Sequence, residues 1–434
     1  MKRLIHFSKC RQVGGGVGRV LFLLAFVLCA ASLRAENPAS RAATPVFDEE
    51  LSGYKKTEPT GAVALLQQRL KRGEAKLTSD ARHGYLNSLL RELGLPPASQ
   101  ALVFSKTSPL RHYISPQNPR ALYFNDRVAV AYVPSAPDIE IAAQDPKLGV
   151  VFYTLEQKES AQPQLRRDDR CLECHASSKS LEVPGLLVRS FVTSVDGEVD
   201  LLSGTMVNHR TPLAERWGGY YVTGTHGEQP HLGNLFGPDA LKRHEKEPGY
   251  HGNVTDLKGF LDLSKYPATG SDIVALMVLE HQVHMVNLLT RLNYEATKSL
   301  RETGNTQSAN SAAEAVLKYL LFAEEARIRD PIQGTADFAS WFQQQGPADA
   351  RGRSLRQFDL KTRLFKFPCS YMIYSPTFDS LPPAAKKHLY RRLWDILSDE
   401  KATGEFARLS VETKRAIKEI LIATKPDLPV YWRL

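Results

Sequence analysis

The sequence predicts an α+β protein, in which an antiparallel sheet is flanked by helices and followed by a mostly helical C-terminal part. Two observations predict this fold class. Segments between residues 101 and 208 are rich in Val, Tyr, Phe and Thr, a composition typical of strands. On both sides of that region, apolar residues recur at helical spacing. The chain has 434 residues, of which 42% are hydrophobic, so it can bury a substantial core.

Residues 1–35 are predicted to be a secretory signal peptide. Basic residues come first, an apolar run covers residues 20–33, and Ala35 supplies a small residue at the end. The run is short for a membrane span, and an uncleaved anchor helix is the alternative. A lipoprotein signal fits less well, because Leu28 precedes Cys29 where a small residue is needed. No later run reaches about eighteen apolar residues, so we expect that the mature protein does not span a membrane.

The charge of the chain argues against a nucleic-acid partner. The formal net charge is +9, but residues 1–35 hold six Lys or Arg and no Asp or Glu, which leaves +3 for the remainder. That remainder has no basic patch with interleaved aromatic residues. We therefore expect no nucleic acid among the partners.

Two helices are predicted ahead of the strand region. The first covers GAVALLQQRLKRGEA, residues 61–75. The second covers residues 78–97, with Thr78 or Ser79 as N-cap, Gly94 just past its end and Pro96 as a stop.

Strands are predicted in four segments that follow. They are ALYFNDRVAVAYV (121–133), KLGVVFYTLEQ (147–157), GLLVRSFVTSV (185–195) and EVDLLSGTMVN (198–208). Asp196-Gly197 stands between the last two and predicts a two-residue hairpin, because both central residues of that turn take positive φ.

Helices dominate the rest of the predicted fold. A long helix is expected over residues 271–296, begun by Ser271 or Asp272. Four more are predicted, and they cover 312–329, 337–345, 381–399 and 410–424. The polar connector at 301–314 predicts a boundary between an α+β domain, residues 36–300, and a helical C-terminal region, residues 312–434.

Cysteine usage directs attention to one motif. The chain has five Cys, of which Cys10 and Cys29 fall within the predicted signal peptide. Two of the other three lie in CLECH, residues 171–175, in a predicted loop between strands. An exported protein held together by disulfides would carry more cysteines, evenly paired. The pair Cys171 and Cys174 is therefore predicted to have a chemical role.

The spacing Cys-x-x-Cys-His is that of covalent haem attachment. A Cys sulfur that adds to a haem vinyl group forms a thioether, and two Cys separated by two residues reach both vinyl groups. The next residue, His175, then becomes an axial ligand of the iron. We predict one haem c, bound covalently through Cys171, Cys174 and His175.

Three alternatives for the motif remain. A structural zinc site needs a second pair of ligands, and the only other Cys after the leader is Cys369, which we expect to be a buried free thiol. A redox CxxC usually follows a strand at a helix N-terminus in a thioredoxin-like βαβ unit. The third alternative is a plain disulfide or two free thiols.

The motif and the leader together resemble those of bacterial periplasmic c-type cytochromes. Two longer segments, RWGGYYVTGTHGEQPHLGN (216–234) and RLFKFPCSYMIYS (363–375), are similar to those of large, uncharacterised monohaem cytochrome c domain proteins. This resemblance implies a haem and export, but no known reaction. The chain departs from small cytochromes c, because several predicted strands precede its motif and no Met-Pro loop follows.

The sequence alone does not identify the sixth iron ligand. His281 lies at the middle of the apolar face of the predicted long helix, with His284 on its flank. His231 and His226 lie in a Gly-rich loop that lets backbone approach a porphyrin. His281 and His231 are the leading candidates, although a buried His also serves as a hydrogen-bonded core residue. The further candidates are His209, His251, Met206 and Met285.

Further interpretations concern residues expected near the predicted haem. Four arginines, Arg166, Arg167, Arg170 and Arg189, either pair with haem propionates or form an ordinary solvated run. Three aromatic residues, Trp217, Tyr220 and Tyr221, either pack on the porphyrin or belong to the protein core.

Two functions follow from the predicted haem. The first is electron transfer, with both axial positions filled and a periplasmic redox protein as partner. The second is a haem enzyme or a gas or redox sensor with an open or displaceable sixth position. The helical C-terminal region could dock onto another component in either case.

Overall fold

The computed structural model describes residues 52–335, 337–401 and 404–433. The predicted signal peptide, residues 1–35, lies outside these residues. An antiparallel sheet with helices on both faces is followed by a mostly helical C-terminal part. The α+β class is therefore confirmed.

Six strands form a meander in which each strand pairs antiparallel with the next one along the chain. Of the two longest strands, the sequence predicts residues 149–156 but not residues 138–145. The missed segment, DIEIAAQD, alternates only at its start, where Asp138 and Glu140 are half-buried and Ile139 and Ile141 face the core. The strands are β1 Ala101–Val103, β2 Arg120–Phe124, β3 Val128–Tyr132, β4 Asp138–Asp145, β5 Gly149–Glu156 and β6 Leu165–Arg167.

Each face of the sheet contributes to a different hydrophobic core. Successive side chains of a strand point to opposite faces, so Tyr123 and Val130 pack with the two N-terminal helices. Phe124 and Phe152 point the other way, into the larger core that surrounds the long helix Ile273–Thr303. The helices are α1 Ala62–Lys71, α2 Leu86–Leu93, α3 Leu172–His175, α4 Pro238–Lys246, α5 Ile273–Thr303, α6 Asn310–Leu320, α7 Phe338–Gln344, α8 Pro376–Asp379, α9 Pro383–Ser398 and α10 Val411–Thr424.

The long helix α5 is the centre of the larger core. It begins where the Asp272 carboxylate accepts hydrogen bonds from the N–H groups of Val274 (2.9 Å) and Ala275 (3.0 Å), and Gly304 ends it at φ +72°. Among the described residues it alone is long and apolar enough to cross a membrane, but 94% of its most apolar window is buried inside the protein. A buried core helix passes the same test of length and composition.

The second predicted helix begins later than expected. Neither Thr78 nor Ser79 caps it, because the Asp80 carboxylate instead accepts two backbone N–H groups of a tight turn that closes at Gly84. Helix α2 therefore starts at Leu86, whereas its predicted end at Gly94 is correct.

The predicted hairpin around Asp196-Gly197 is also shorter than expected. Only Gly197 has positive φ, and the two strands reduce to the pair β7 Arg189–Ser190 and β8 Thr205–Met206. The reason is competition for backbone groups, since Phe191 N–H donates to Gly218 O (2.9 Å) rather than to a partner strand.

The C-terminal helices agree with the prediction except for the first. The segment predicted over 312–329 is helical only to Leu320, because Phe322 takes φ +54° and Ser370 N–H occupies the Leu320 carbonyl (2.7 Å). The other three begin and end within two residues of the predicted bounds.

Candidate haem-attachment site

The CLECH motif forms one helical turn directly after the last strand of the sheet. The Asp168 carboxylate accepts the Arg170 N–H (3.1 Å) and starts a 3₁₀ turn that continues into α3, Leu172–His175. Residues three apart in a helical turn share a face, so the side chains of Cys171 and Cys174 are neighbours. Neither thiol is in a disulfide.

The imidazole of His175 is held by one ring nitrogen. Its Nδ1 lies 2.9 Å from the carbonyl oxygen of Gly185, and in the tautomer with the proton on Nδ1 it donates to that oxygen. Within the described chain, Nε2 has no hydrogen-bond partner. Burial lowers the pKa of His175, so the ring is neutral near pH 7 and Nε2 carries a lone pair. The Phe152 ring packs 4.8 Å from the imidazole.

Asn287 on the long helix fixes the carbonyl that holds His175. Its Oδ1 accepts the Leu186 N–H (2.9 Å) and its Nδ2 donates to the Leu186 carbonyl (2.8 Å). Gly185 lies so close that an added Cβ would be 2.3 Å from Asn287 Oδ1, so only glycine fits without a shift. The motif is thereby tied to α5 through two backbone residues, as ligating histidines commonly are through their outer partners.

The two thiols have different surroundings. Cys174 is exposed, whereas Cys171 is half-buried and packs against the larger core. Burial raises the pKa of the Cys171 thiol to about 12. Cys171 is therefore a neutral thiol rather than an activated thiolate.

Two arginines lie near the motif. Arg189 is within electrostatic range of Cys174, stacks 4.4 Å over Phe191, and donates to the carbonyls of Leu201 (2.9 Å) and Gly204 (3.0 Å). No carboxylate of the described residues is within ion-pair distance of it, and its buried Nε has no partner.

Arg120 is the second arginine. It is within electrostatic range of His175, and among the described residues its ion-pair partner is Glu140, 3.6 Å away. Its Nε is also buried without a partner. Each of these two guanidinium groups therefore keeps one buried donor, Nε, without a partner among the described residues.

His281 lies in a different cluster of side chains from His175. Its Nδ1 is 2.8 Å from Nδ1 of His209, and its Nε2 is 2.7 Å from the hydroxyl of Ser370. The rings of Tyr319 and Phe322 stack on it. Both ring nitrogens of His281 thus have hydrogen-bond partners, and burial lowers its pKa to about 3.

His231 is fully buried among other histidines. Its Nδ1 accepts the Gly233 N–H (2.9 Å), and the rings of His226 and His251 lie 4.6 and 5.2 Å from it. In the part of the chain that the structure describes, no group of three or more His, Cys, Asp or Glu is arranged to hold a metal ion. His231 and His175 have no ring neighbour in common.

Two other candidates for the sixth position have no hydrogen bond, among the described residues, that iron binding would break. Met206 is half-buried and is the cross-strand partner of Arg189, so both side chains lie on the same face of that strand pair. His284 belongs to the same cluster as His281, since it packs half-buried against Tyr319, but neither of its ring nitrogens has a hydrogen-bond partner among the described residues. Met285, by contrast, is fully buried in the core.

Glu280 on helix α5 anchors the segment 216–234. The carboxylate of Glu280 accepts hydrogen bonds from the Arg216 guanidinium and from Trp217 Nε1 (3.1 Å). Burial raises the pKa of Glu280 to about 7, while the Arg216 charge opposes that rise. Trp217, Tyr220 and Tyr221 are all buried in the protein cores.

Sequence reasoning missed Arg120, Gly185 and Asn287. Their roles depend on contacts between segments that are distant in the sequence. One signal was present, because Asn287 is a polar residue within an apolar helix and a buried polar group needs a partner.

Comparisons with known proteins gave no match to a family model, to a curated protein or to a solved structure. The geometry of the motif is therefore the basis for the function. The residues present fit a covalently bound haem, because two free thiols share a helical face and the adjacent imidazole keeps Nε2 available.

Proposed function

We propose that this chain is an exported c-type cytochrome that carries one covalent haem and transfers electrons. Cys171 and Cys174 hold the haem through thioether bonds, and His175 Nε2 binds its iron. A bound haem supplies one-electron redox chemistry at that iron. The observation that carries the proposal is the Nδ1 contact of His175 with Gly185 O, which leaves Nε2 free beside two thiols.

The alternatives for the motif are less well supported by its surroundings. A redox-active CxxC lowers the pKa of one thiol, whereas burial raises that of Cys171. A zinc site needs further ligands, and the third described cysteine, Cys369, is fully buried in the C-terminal part of the core.

The protein's own residues would tune the haem in two ways. The Gly185 carbonyl accepts a hydrogen bond from the Nδ1–H of His175 and so increases the basicity of the ligating imidazole. Arg189 and Arg120 present guanidinium donors that would pair with the two propionate carboxylates of the haem. Neutralising those carboxylates stabilises a bound haem near the surface of the protein.

A second function is favoured by the hydrogen bonds of His281. Because both of its ring nitrogens already have partners, iron binding by His281 would cost those bonds. The sixth iron position would then be open or displaceable, which is what a haem enzyme or a gas or redox sensor needs. Met206 and His284 are the residues whose binding would instead complete the coordination.

Location and partner follow from the proposed cofactor. Covalent haem attachment takes place after export, so we place the protein in the periplasm, released from its predicted leader. Its partner for electron transfer would be a periplasmic redox protein.

The test is the fate of the haem on denaturation. The full chain is produced in a host that matures c-type cytochromes and is then separated under denaturing conditions. We expect haem to stay with the polypeptide in the wild type, to be lost in the Cys171→Ser/Cys174→Ser variant, and to be retained in the Cys369→Ser control. Loss of haem from the denatured wild type would overturn the proposal.

Carbon monoxide separates the two functions. A reduced low-spin spectrum that carbon monoxide leaves unchanged supports electron transfer, whereas a high-spin or responsive spectrum supports the enzyme or sensor. Variants Met206→Leu and His284→Gln then identify a protein-derived sixth ligand by a change from low spin to high spin.

A further inference from the structure

A separate cavity of about 470 Å³ lies in the C-terminal half of the protein. This volume is within the range of small-molecule sites. It is open to solvent on one side, and three chain segments line it, residues 321–328, 362–368 and 406–409. Its apolar walls are Leu321, Phe322, Ile328, Pro368, Phe406 and Leu409.

The polar part of the lining is positively charged. Arg327, Arg363 and Arg408 all line the cavity, and none of them forms an ion pair with a carboxylate of the described residues. Arg408 Nη1 donates to the backbone carbonyl of Glu325 (2.6 Å), which fixes one guanidinium at the wall. Three cations around one cavity leave an excess of positive charge that an anion would relieve.

Glu325 is the one acidic residue of the lining, and it does not balance this charge. Its side chain is buried, and its Oε1 accepts the Leu364 N–H (2.7 Å). Burial raises the pKa of Glu325 to about 7, with Arg363 opposing the rise. Near neutral pH a large part of the Glu325 population is therefore uncharged.

We propose that this cavity binds a small organic carboxylate that has an apolar body. The guanidinium fork matches a carboxylate, because it offers parallel N–H donors in one plane. The aliphatic and aromatic walls would cover an apolar body but give little to a purely inorganic anion. None of its lining residues belongs to the CLECH motif or is a hydrogen-bond partner of His175.

Calorimetric titration of the purified full chain tests the proposal with three probes: benzoate, its neutral isostere benzamide, and inorganic phosphate. We expect saturable binding of benzoate at one site, and at least tenfold weaker binding of benzamide and of phosphate. Arg363→Gln and Arg327→Gln should each weaken benzoate binding about tenfold, because each removes a charge-assisted hydrogen bond.

A control and a second kind of variant complete the test. Arg82→Gln changes an exposed arginine in the turn ahead of α2 and should leave benzoate binding unchanged. Phe406→Ser should weaken benzoate binding without changing the weak response to phosphate. The proposal is overturned if benzoate does not bind saturably, or if benzamide or phosphate binds as tightly as benzoate. It is also overturned if both cavity arginine variants bind benzoate with the wild-type affinity.

Discussion

Replacing Asn287 by Ala tests whether the long helix positions the proposed haem-attachment motif. Asn287 is 1% exposed and makes two hydrogen bonds to Leu186, at 2.9 and 2.8 Å. Each such bond contributes about 0.5–1.5 kcal/mol, and a buried group left without its partner costs about 1–3 kcal/mol. Leu186 is half-buried, so water can replace part of the loss, and we expect a destabilisation of about 2–3 kcal/mol.

The assay is urea unfolding of the wild type and the variant, followed by redox titration of the haem-loaded proteins. We expect the midpoint potential to rise in Asn287→Ala, because a displaced Gly185 carbonyl makes the His175 ligand less basic. Asn293→Ala is a matched control, since Asn293 lies on the same helix and makes one 3.5 Å bond to the Lys147 carbonyl. The control should cost under about 1 kcal/mol and leave the potential unchanged.

A double-mutant cycle with Gly185→Ala makes the test stricter. The added Cβ would lie 2.3 Å from Asn287 Oδ1. Gly185→Ala should therefore lower the free energy of unfolding more in the wild type than in the Asn287→Ala protein. Additive effects in the cycle, or an Asn287→Ala protein that behaves like the Asn293→Ala control, would refute the role of Asn287.

Three further predictions concern charge and protonation. The pKa of His281 is lowered to about 3, so its contribution to stability is complete above pH 6.5 and is lost as the pH falls, by about 1.4 kcal/mol per pH unit. When the free energy of unfolding is measured in urea at several pH values between 6.5 and 4.5, it should depend less steeply on pH in His281→Phe than in the wild type. An equal dependence on pH in the two proteins would contradict this. Arg216→Met should destabilise the protein by about 3–5 kcal/mol at pH 8, because it leaves the Glu280 carboxylate buried without its cation. The loss should be smaller at pH 5, where that carboxyl is protonated. A loss of stability in thermal unfolding that is the same at both pH values would contradict this. In the haem-loaded protein, Arg189→Gln should lower the midpoint potential, because removing a nearby cation favours the oxidised iron; an effect no larger than that of the exposed Arg166→Gln would show that Arg189 does not face the haem.

The sheet was predictable where its strands are rich in large apolar residues. Residues 121–133 and 147–157 contain three of the six strands. The strand at 138–145 was missed because its acidic residues and alanines have low strand propensity, and pairing on both sides compensates for this. Propensity also failed at residues 191–195, where the Phe191 N–H donates to Gly218 O and the Thr193 carbonyl accepts the Gly237 N–H.

The proposed attachment site was predictable only in part. The spacing of Cys171, Cys174 and His175 is local, so the sequence contains it directly. The contact of His175 with Gly185, ten residues on, depends on how the chain folds back, and the role of Asn287 depends on the packing of α5. The hydrogen bonds of His281 likewise involve residues 72 and 89 positions away.

The intact mass of the purified mature chain tests the central claim most directly. After production in a host that attaches haem c, denaturation and removal of unbound cofactor, the account predicts the polypeptide mass plus that of one haem. It also predicts that changing both Cys171 and Cys174 to Ser removes the added mass. A wild-type chain with the bare polypeptide mass would contradict the account.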